Sequence, residues 1–248
     1  MKHKLALLTI LIFTAFLTNA QNKMKKVEEL IDNTDPGWTT LEDWIKTAKN
    51  TIEILPADTL KAKQALYKTQ VTTRSLMGTI VFMTGGILVD DGWIRILGSG
   101  SAKFNRSLPD WNKGKSFKEF GELPSFLLIA DDAIGGFYVL NGGGLGSDLG
   151  KIYYFSPDNL EYEQLDITYS EFLGFCFNND LDKFYEGNRW NGWREEVSKL
   201  NPDEVFNFYP FLWTAEGSNI DKNSRKIIPI QEQYSLNLDL RRQLGFDK

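Results

Sequence analysis

Three short apolar runs separated by turn residues constrain the fold of this chain more than any other feature. The runs lie at residues 127–130, 137–140 and 152–155, and acidic and glycine-rich turns separate them. Apolar runs of this length with such boundaries are typical of β-strands. We therefore predict that these strands form an antiparallel meander.

The same reasoning predicts further strands and helices on both sides of the meander. Strands are expected at residues 79–83, 87–89, 93–97 and 162–167, and helices at residues 24–32, 41–49, 59–67, 169–177, 181–185 and 193–200. Thr40 and Asp43 are expected to form a capping box for the second helix, and Asp58 is expected to cap the third. The predicted fold class is α+β, a mostly antiparallel sheet with N-terminal and C-terminal helices packed on it.

The remaining segments are predicted to be less regular. Residues 98–122 are polar, which indicates a long loop with a short helix after Ser116. Pro202 and Pro210 are expected to limit regular structure around an aromatic cluster, which we interpret as core, and the last twenty residues are expected to be loosely held. We expect one domain over residues 21–248, with the sheet and helices at 79–200 and an aromatic-rich extension at 201–248.

The first twenty residues have the pattern of a cleavable signal peptide. Lys2 and Lys4 precede an apolar run at residues 5–17, and small and polar residues follow it. The run is too short to span about 30 Å of hydrocarbon comfortably. We expect cleavage before Gln21, a periplasmic or secreted product, and no stable membrane insertion. Translation from Met24 would instead give a cytoplasmic protein.

Composition excludes several chemistries. The only histidine is His3, so the chain after the leader has none, which excludes Ser-His-Asp and Cys-His catalysis and histidine-centred zinc sites. The only cysteine, Cys176, lies in an apolar run typical of a buried, inert thiol. Without the leader, 26 basic residues face 33 acidic ones, a net charge of about −7, so we do not expect nucleic acid as a partner. No cofactor or metal is expected.

Two pairs of adjacent acids, Asp90-Asp91 and Asp131-Asp132, are the remaining candidates for carboxylate chemistry. Successive side chains on a strand point to opposite faces, so neighbouring aspartates cannot address one metal ion or one scissile bond. Each pair follows an apolar run and precedes small residues. We interpret both pairs as turn residues whose side chains bond to nearby backbone N–H groups.

A glycine-rich segment, residues 141–146, follows the second strand of the meander. It leads into another strand rather than a helix and lacks the spacing of a dinucleotide-binding loop. We interpret it as a hairpin loop that uses left-handed backbone conformations. The functional alternative is a flexible recognition loop.

Spaced phrases along the chain carry a family resemblance. The phrases are Asp35-Pro-Gly-Trp38, Glu53-Ile-Leu-Pro56, Val71-Thr-Thr-Arg-Ser75, Thr84-Gly-Gly-Ile-Leu88, Gly92-Trp-Ile-Arg-Ile-Leu-Gly98, Ala130-Asp-Asp-Ala-Ile-Gly-Gly-Phe137, Asn141-Gly-Gly143 and Arg189-Trp-Asn-Gly-Trp193. From about residue 27 to beyond residue 225 the chain resembles the bacterial family called Domain of Unknown Function 2625, which has no assigned activity. A weaker likeness, in the order of elements, is to the SUKH superfamily, which includes immunity proteins that neutralise toxins.

Two functional hypotheses from different classes remain open. The first, which we favour, is a non-enzymatic protein-binding module whose exposed aromatics and loops contact a partner. Its candidate residues are Trp111, Asn141, Gly142, Gly143, Arg189 and Trp190. The alternative is a periplasmic carbohydrate-binding or carbohydrate-acting protein with two carboxylates among Asp131, Asp132 and Glu171. It requires two acids in one cleft.

Overall fold

Seven strands pair in the order in which they occur along the chain and form one antiparallel sheet. The computed structural model of the protein describes residues 24–246, so the predicted leader lies outside the described residues. The strands are β1 (Ile52–Pro56), β2 (Thr84–Val89), β3 (Ile94–Leu97), β4 (Phe126–Asp132), β5 (Phe137–Asn141), β6 (Ile152–Phe155) and β7 (Tyr162–Gln164). The predicted meander, β4 to β6, and the α+β class are confirmed.

Helices and a second small sheet surround these strands. The helices are α1 (Val27–Leu30), α2 (Trp38–Lys46), α3 (Thr59–Thr69), α4 (Leu76–Met83), α5 (Leu108–Asn112), α6 (Tyr169–Asn178), α7 (Leu181–Phe184), α8 (Trp193–Val197) and α9 (Ile230–Gln243). Strands β8 (Glu204–Tyr209) and β9 (Ser224–Pro229) pair with each other in antiparallel fashion.

Side-chain caps begin several of the helices. The Asp58 carboxylate accepts the N–H groups of Leu60 and Lys61 at the start of α3, which confirms that cap. Thr168 and Glu171 form a capping box for α6. The predicted capping box at Thr40 is wrong. Helix α2 begins at Trp38 with Gly37 as its N-cap residue, so Thr40 lies inside the helix.

The two faces of the sheet carry different side chains because strand residues alternate. Cross-strand register places Arg95, Asp131, Phe137 and Phe155 in one row on the first face. Helix α9 covers this face through Tyr234, whose ring centroid lies 5.1 Å from that of Phe137.

The second face carries Tyr138 and Tyr154 and is covered by α6 and α7. The Tyr138 ring lies 4.8 Å from Phe172 of α6, and the Tyr154 ring lies 5.6 Å from Phe184 of α7. Cys176 of α6 is fully buried beside them, and burial raises the pKa of its thiol. The sheet is thus covered on both faces, which is why its strands are predominantly apolar.

Several further local predictions are wrong, among them the short helix after Ser116, because the helix in this segment is α5 at Leu108–Asn112. Residues 79–83 belong to helix α4, whose start Ser75 caps by accepting the N–H of Gly78. Strand β1 was not predicted from the sequence. The sheet begins at Ile52 rather than near residue 79. Pro202 and Pro210 lie outside the ends of β8 and so do not interrupt it. Residues 229–246 are not loosely held, because most of them form the end of β9 and helix α9.

Helix α9 is anchored by a buried amide, which gives a stability prediction. Asn237 is 3% exposed, donates to the Gly135 carbonyl and accepts from Gln233. Asn237→Ala removes the donor to the Gly135 carbonyl and the acceptor of the Gln233 Nε2–H group in the interior, so we expect it to lower the free energy of unfolding by about 1–3 kcal/mol. Chemical denaturation followed by circular dichroism measures this.

Asp239 on the same helix supplies the matched control, because it is exposed and its one ion pair within residues 24–246 is with Arg242. Asp239→Ala is expected to change the free energy of unfolding by less than about 0.5 kcal/mol. Equal losses for the two variants would contradict the docking of α9.

Candidate functional site

Asp131 lies at the centre of a buried ion cluster on the first face of the sheet. Its carboxylate accepts from Arg95 Nε at 2.7 Å and from Arg106 Nη1 at 2.5 Å. Arg106 also donates through Nε to Asp203 at 2.9 Å, and Arg95 Nη2 donates to the Glu204 carbonyl. Two arginines and two aspartates therefore balance in charge, as a buried cluster requires. The cluster joins β3 and β4 to the start of β8.

Asp132 points to the other face and lies among tyrosines. Its Oδ1 accepts the N–H groups of Ile134 and Gly136, and its Oδ2 accepts the hydroxyls of Tyr154 at 2.6 Å and Tyr185 at 3.2 Å. Burial raises the pKa of Asp132, and the hydrogen bonds it accepts oppose that rise. The turn interpretation is therefore confirmed for Asp132 and is wrong for Asp131, which forms ion pairs.

The geometry that a carboxylate mechanism needs is absent among the three predicted acids. Asp131 and Asp132 are both fully buried and lie on opposite faces of the sheet. Glu171 is exposed and caps α6, where the N–H of Thr168 holds the pKa of its carboxyl below the usual value. A glycosidase needs two carboxyl groups within about 5–10 Å across one cleft.

The other acidic pair forms a turn that is tied to a buried arginine. Asp90 and Asp91 adopt left-handed backbone angles, with φ of 52° and 58°, which confirms the turn. The predicted bonds from their side chains to backbone N–H groups are wrong, because both carboxylates pair with arginines. Asp90 accepts from Arg189 Nη2 at 2.6 Å and from Arg194 Nη1 at 2.6 Å. Arg194 also reaches Asp91 at 2.9 Å.

Aromatic rings surround the Arg189 guanidinium. Its carbon lies 4.0 Å from the Trp193 ring centroid, 4.6 Å from Trp93 and 5.0 Å from Tyr185. Such cation–π contacts stabilise a guanidinium that is withdrawn from water. Arg189 therefore holds the Asp90 turn against the α7–α8 region and is not displayed on the surface.

The two tryptophans expected at a binding surface are in the interior. Trp190 is 2% exposed and donates to Glu196, and Trp111 is 6% exposed. Our expectation that these aromatics are exposed is wrong, because each ring fills core space. Trp190 lies against Phe206 and Phe208 of β8, and Trp111 lies against Tyr234 of α9.

Asn141 organises the glycine-rich loop instead of facing a ligand. Its side-chain oxygen accepts the N–H groups of Gly143 and Leu145, and its amide donates to the Gly146 carbonyl. The N–H groups of Gly142 and Gly144 both donate to the Ser125 carbonyl. Four successive loop amides are therefore engaged within the protein, so the loop does not offer the free N–H groups that a phosphate site needs. Gly143 adopts a φ of 110°, as predicted for a left-handed loop.

An apolar groove lies beside this loop. Its volume is about 290 Å³. It is lined by the end of α3, by residues 121–127 and by the end of β5, including Asn141 and Gly142. Leu123 on its rim is 90% exposed, and Leu149 in the neighbouring loop is 68% exposed. Of the sequence-predicted site residues, the structure brings only Asn141 and Gly142 to this groove.

Most of the groove and the arginine partners of Asp131 were not predicted from the sequence. Leu123 and Leu149 carried a signal, because each is a large apolar residue within a polar, glycine-containing loop. Arg95 and Arg106 carried none, because their pairing with Asp131 depends on contacts distant in sequence. Within residues 24–246 no set of three acidic or cysteine side chains is arranged to hold a metal ion, and no helix is long and apolar enough to cross a bilayer.

Comparison with known proteins decides the family. The family model described as "Protein of unknown function DUF2625" matches residues 27–233. The chain belongs to this family. Two DUF2625-like relatives are an uncharacterized protein of Haemophilus influenzae, 43% identical over 214 residues (86% of this chain and 94% of the relative), and the putative uncharacterized protein YbfG of Escherichia coli K12, 41% identical over 218 residues (88% of this chain and 98% of the relative).

No solved structure matches the chain. The likeness to the SUKH superfamily therefore stays a prediction, whereas the resemblance to the DUF2625 family is confirmed. The family match begins at residue 27, so the predicted leader lies outside it.

The Asp131 cluster predicts a large effect from a small chemical change. Asp131→Asn removes one negative charge and leaves Arg95 buried without its counter-ion. We expect the free energy of unfolding to fall by about 3–5 kcal/mol, measured by urea denaturation. Asp203→Asn is the control, because Asp203 is partly exposed and Arg106 keeps Asp131 as a partner. A smaller loss for Asp131→Asn than for Asp203→Asn would contradict this role.

Proposed function

We propose that this DUF2625 protein is a non-enzymatic binding protein whose groove accepts an apolar segment of a partner protein with a basic surface. The observation that carries the proposal is the groove beside the glycine-rich loop, with Leu123 on its rim. Of the acids that the enzyme hypothesis needs, Asp131 and Asp132 are engaged in buried structural contacts and the exposed Glu171 caps a helix, which further favours binding over catalysis.

The size and chemistry of the groove support a peptide segment as its occupant. A volume of about 290 Å³ is at the lower end for small-molecule sites, and it suits a few apolar side chains better than a large cofactor. Val71, Met77 and Phe126 supply apolar walls, and Leu123 is nearly fully exposed at the rim. Exposed apolar patches rimmed by polar residues mark protein interaction sites.

Charge supports a basic partner. The chain without its predicted leader carries 26 basic and 33 acidic residues. An excess of negative charge attracts cationic partners and speeds their encounter with the protein. Toxin neutralisation after export is the narrower form of this proposal, and it rests on the predicted leader and the SUKH likeness.

Peptide display tests the groove directly. Selection on the purified protein is expected to enrich peptides with apolar anchors flanked by Lys or Arg. Leu123→Asp places a charge on the rim, so we expect it to weaken binding of the selected peptides at least tenfold, roughly the effect of losing a hot-spot contact. Fluorescence anisotropy of labelled peptides measures the dissociation constants.

Leu60→Asp is the matched control, because Leu60 is 66% exposed and does not line the groove. It is expected to leave binding unchanged. Peptides that bind the wild type and Leu123→Asp equally, or no enrichment at all, would overturn the proposed function.

Salt separates the charge contribution from the apolar one. Between about 50 mM and 500 mM salt the Debye length shortens and surface charges are screened. We therefore expect the association rate constant of the selected peptides to fall several-fold and their dissociation rate constant to change little. Stopped-flow mixing measures both. A salt-independent association rate would show that the negative charge plays no part in recognition.

A glycan ligand is the second candidate, favoured by an open cleft between α2, α4 and α6. Trp44 and Tyr169 line it together with the hydroxyl residues Thr40, Ser75 and Ser170. Aromatic and hydroxyl groups together are the chemistry that binds sugars. A glycan array is probed with the protein and with the Trp44→Ala variant, which changes a residue that lines this cleft. The comparison distinguishes glycan binding in the cleft from peptide binding in the groove.

A further inference from the structure

A second pocket lies over the first face of the sheet, where β1, β2 and β3 pair. Its volume is about 220 Å³. Cross-strand register places Glu53, Leu88 and Arg95 in one row along it, and this row continues to Asp131. The segment that joins α8 to β8 also lines the pocket. Within residues 24–246 the pocket and the apolar groove share no lining residue, so they are separate sites.

The buried arginine of this pocket has one nitrogen that is not hydrogen-bonded. Arg95 donates through Nε to Asp131 and through Nη2 to the Glu204 carbonyl. Arg95 is fully buried, and its Nη1 has no hydrogen-bond partner within residues 24–246. A buried donor without an acceptor is costly, and more so when the donor is charged. Carboxylate and phosphate oxygens are the acceptors that a guanidinium binds most strongly, so the free N–H groups indicate an anionic ligand.

The charges around the pocket favour a carboxylate over a phosphate. The ion cluster around Arg95 is balanced, and Lys103 pairs with Glu53 at the rim. Asp91 also lines the pocket and is negatively charged. A phosphate dianion would bring two further negative charges close to these acids, whereas a carboxylate brings one.

The apolar walls indicate what the rest of the ligand is. Leu88, Val197 and Leu200 line the pocket and are buried residues of the core. Small-ligand sites combine apolar walls of this kind with a few polar groups that fix the orientation. One water molecule occupies about 30 Å³, so the pocket has room for a small organic ligand.

We propose that this pocket binds a small aliphatic monocarboxylate. One carboxylate oxygen accepts from Arg95 Nη1, and the alkyl group packs against Leu88, Val197 and Leu200. Arg95 is buried, so the ligand reaches it when side chains at the rim move. Lys103 and Glu53 are 49% and 54% exposed, and exposed side chains change rotamer within nanoseconds.

A nuclear magnetic resonance titration of the isotope-labelled protein with butanoate tests the proposal. A ligand of six heavy atoms is expected to bind with a dissociation constant of about 1 mM. We expect butanamide, which has the same shape and no charge, to bind at least tenfold more weakly. Acetate is expected to bind several-fold more weakly, because it buries less apolar surface. The backbone amide signals of Gly92 and Ser198 are expected to shift with butanoate.

Three outcomes of the titration would overturn the proposal. The first is no saturable binding of butanoate up to about 20 mM. The second is equal affinity for butanoate and butanamide. The third is inorganic phosphate binding more tightly than butanoate, which would show that the site is a phosphate site.

A matched pair of serines locates the binding site. Ser198 lines the pocket, whereas Ser218 lies in the β8–β9 connection. Both are exposed, and each hydroxyl donates to the carbonyl three residues earlier, that of Glu195 or Ala215. Ser198→Phe places a ring in the pocket, so we expect it to weaken butanoate binding at least tenfold, and Ser218→Phe to leave it unchanged. Equal affinities for the two variants would place the binding elsewhere and overturn the proposal.

The role of Arg95 is tested in a variant that keeps the ion cluster neutral. Arg95→Met combined with Asp131→Leu removes the donor and leaves Arg106 paired with Asp203. With circular dichroism confirming the fold, we expect this variant to lose the preference for butanoate over butanamide, and a retained preference would overturn the proposal. Leu123→Asp changes only the groove, so we expect it to leave butanoate binding unchanged, and this test is independent of the proposed function.

Discussion

The alternation of side chains at the end of strand β4 is the constraint on which the rest of the structure depends. Asp131 and Asp132 are neighbours, so an extended backbone sends their carboxylates to opposite faces of a sheet that is covered on both sides. Each buried carboxyl group must then find its polar partners where it lies. Arg95 and Arg106 match Asp131, whereas two tyrosine hydroxyls and two backbone N–H groups satisfy Asp132.

The contacts of Asp131 and Asp132 hold in place the layers on either side of the sheet. Arg106 connects Asp131 to Asp203 just before β8, so the second small sheet is held to the first face. Tyr185 connects Asp132 to the end of α7, next to the aromatic group that encloses Arg189. The aspartates that the sequence suggests as candidates for carboxylate chemistry are thus engaged in structural contacts. The surface feature that remains, the groove with Leu123 on its rim, lies elsewhere.

The elements of the fold that could be predicted are those whose sequence signal is local. The meander was predicted because its strands are apolar runs between turn residues, and α3 because Asp58 caps it within four residues. The sequence predicts a strand within helix α4 because this helix is apolar on all sides, and periodicity cannot distinguish a buried helix from a buried strand. Helix α9 was missed because its buried stripe includes Gln233 and Asn237, which are polar. The ion cluster and the burial of Trp111 and Trp190 depend on distant segments and leave no local signal.

A double-mutant cycle on Arg95 and Asp131 tests the central claim most directly, since these residues face each other across β3 and β4. Arg95→Met leaves the cluster with one unbalanced negative charge and Asp131→Leu leaves it with one unbalanced positive charge, whereas the double variant removes both charges together. The account predicts that the double variant loses less unfolding free energy than the sum of the single variants, by at least about 2 kcal/mol. Losses that add to within about 0.5 kcal/mol would contradict it.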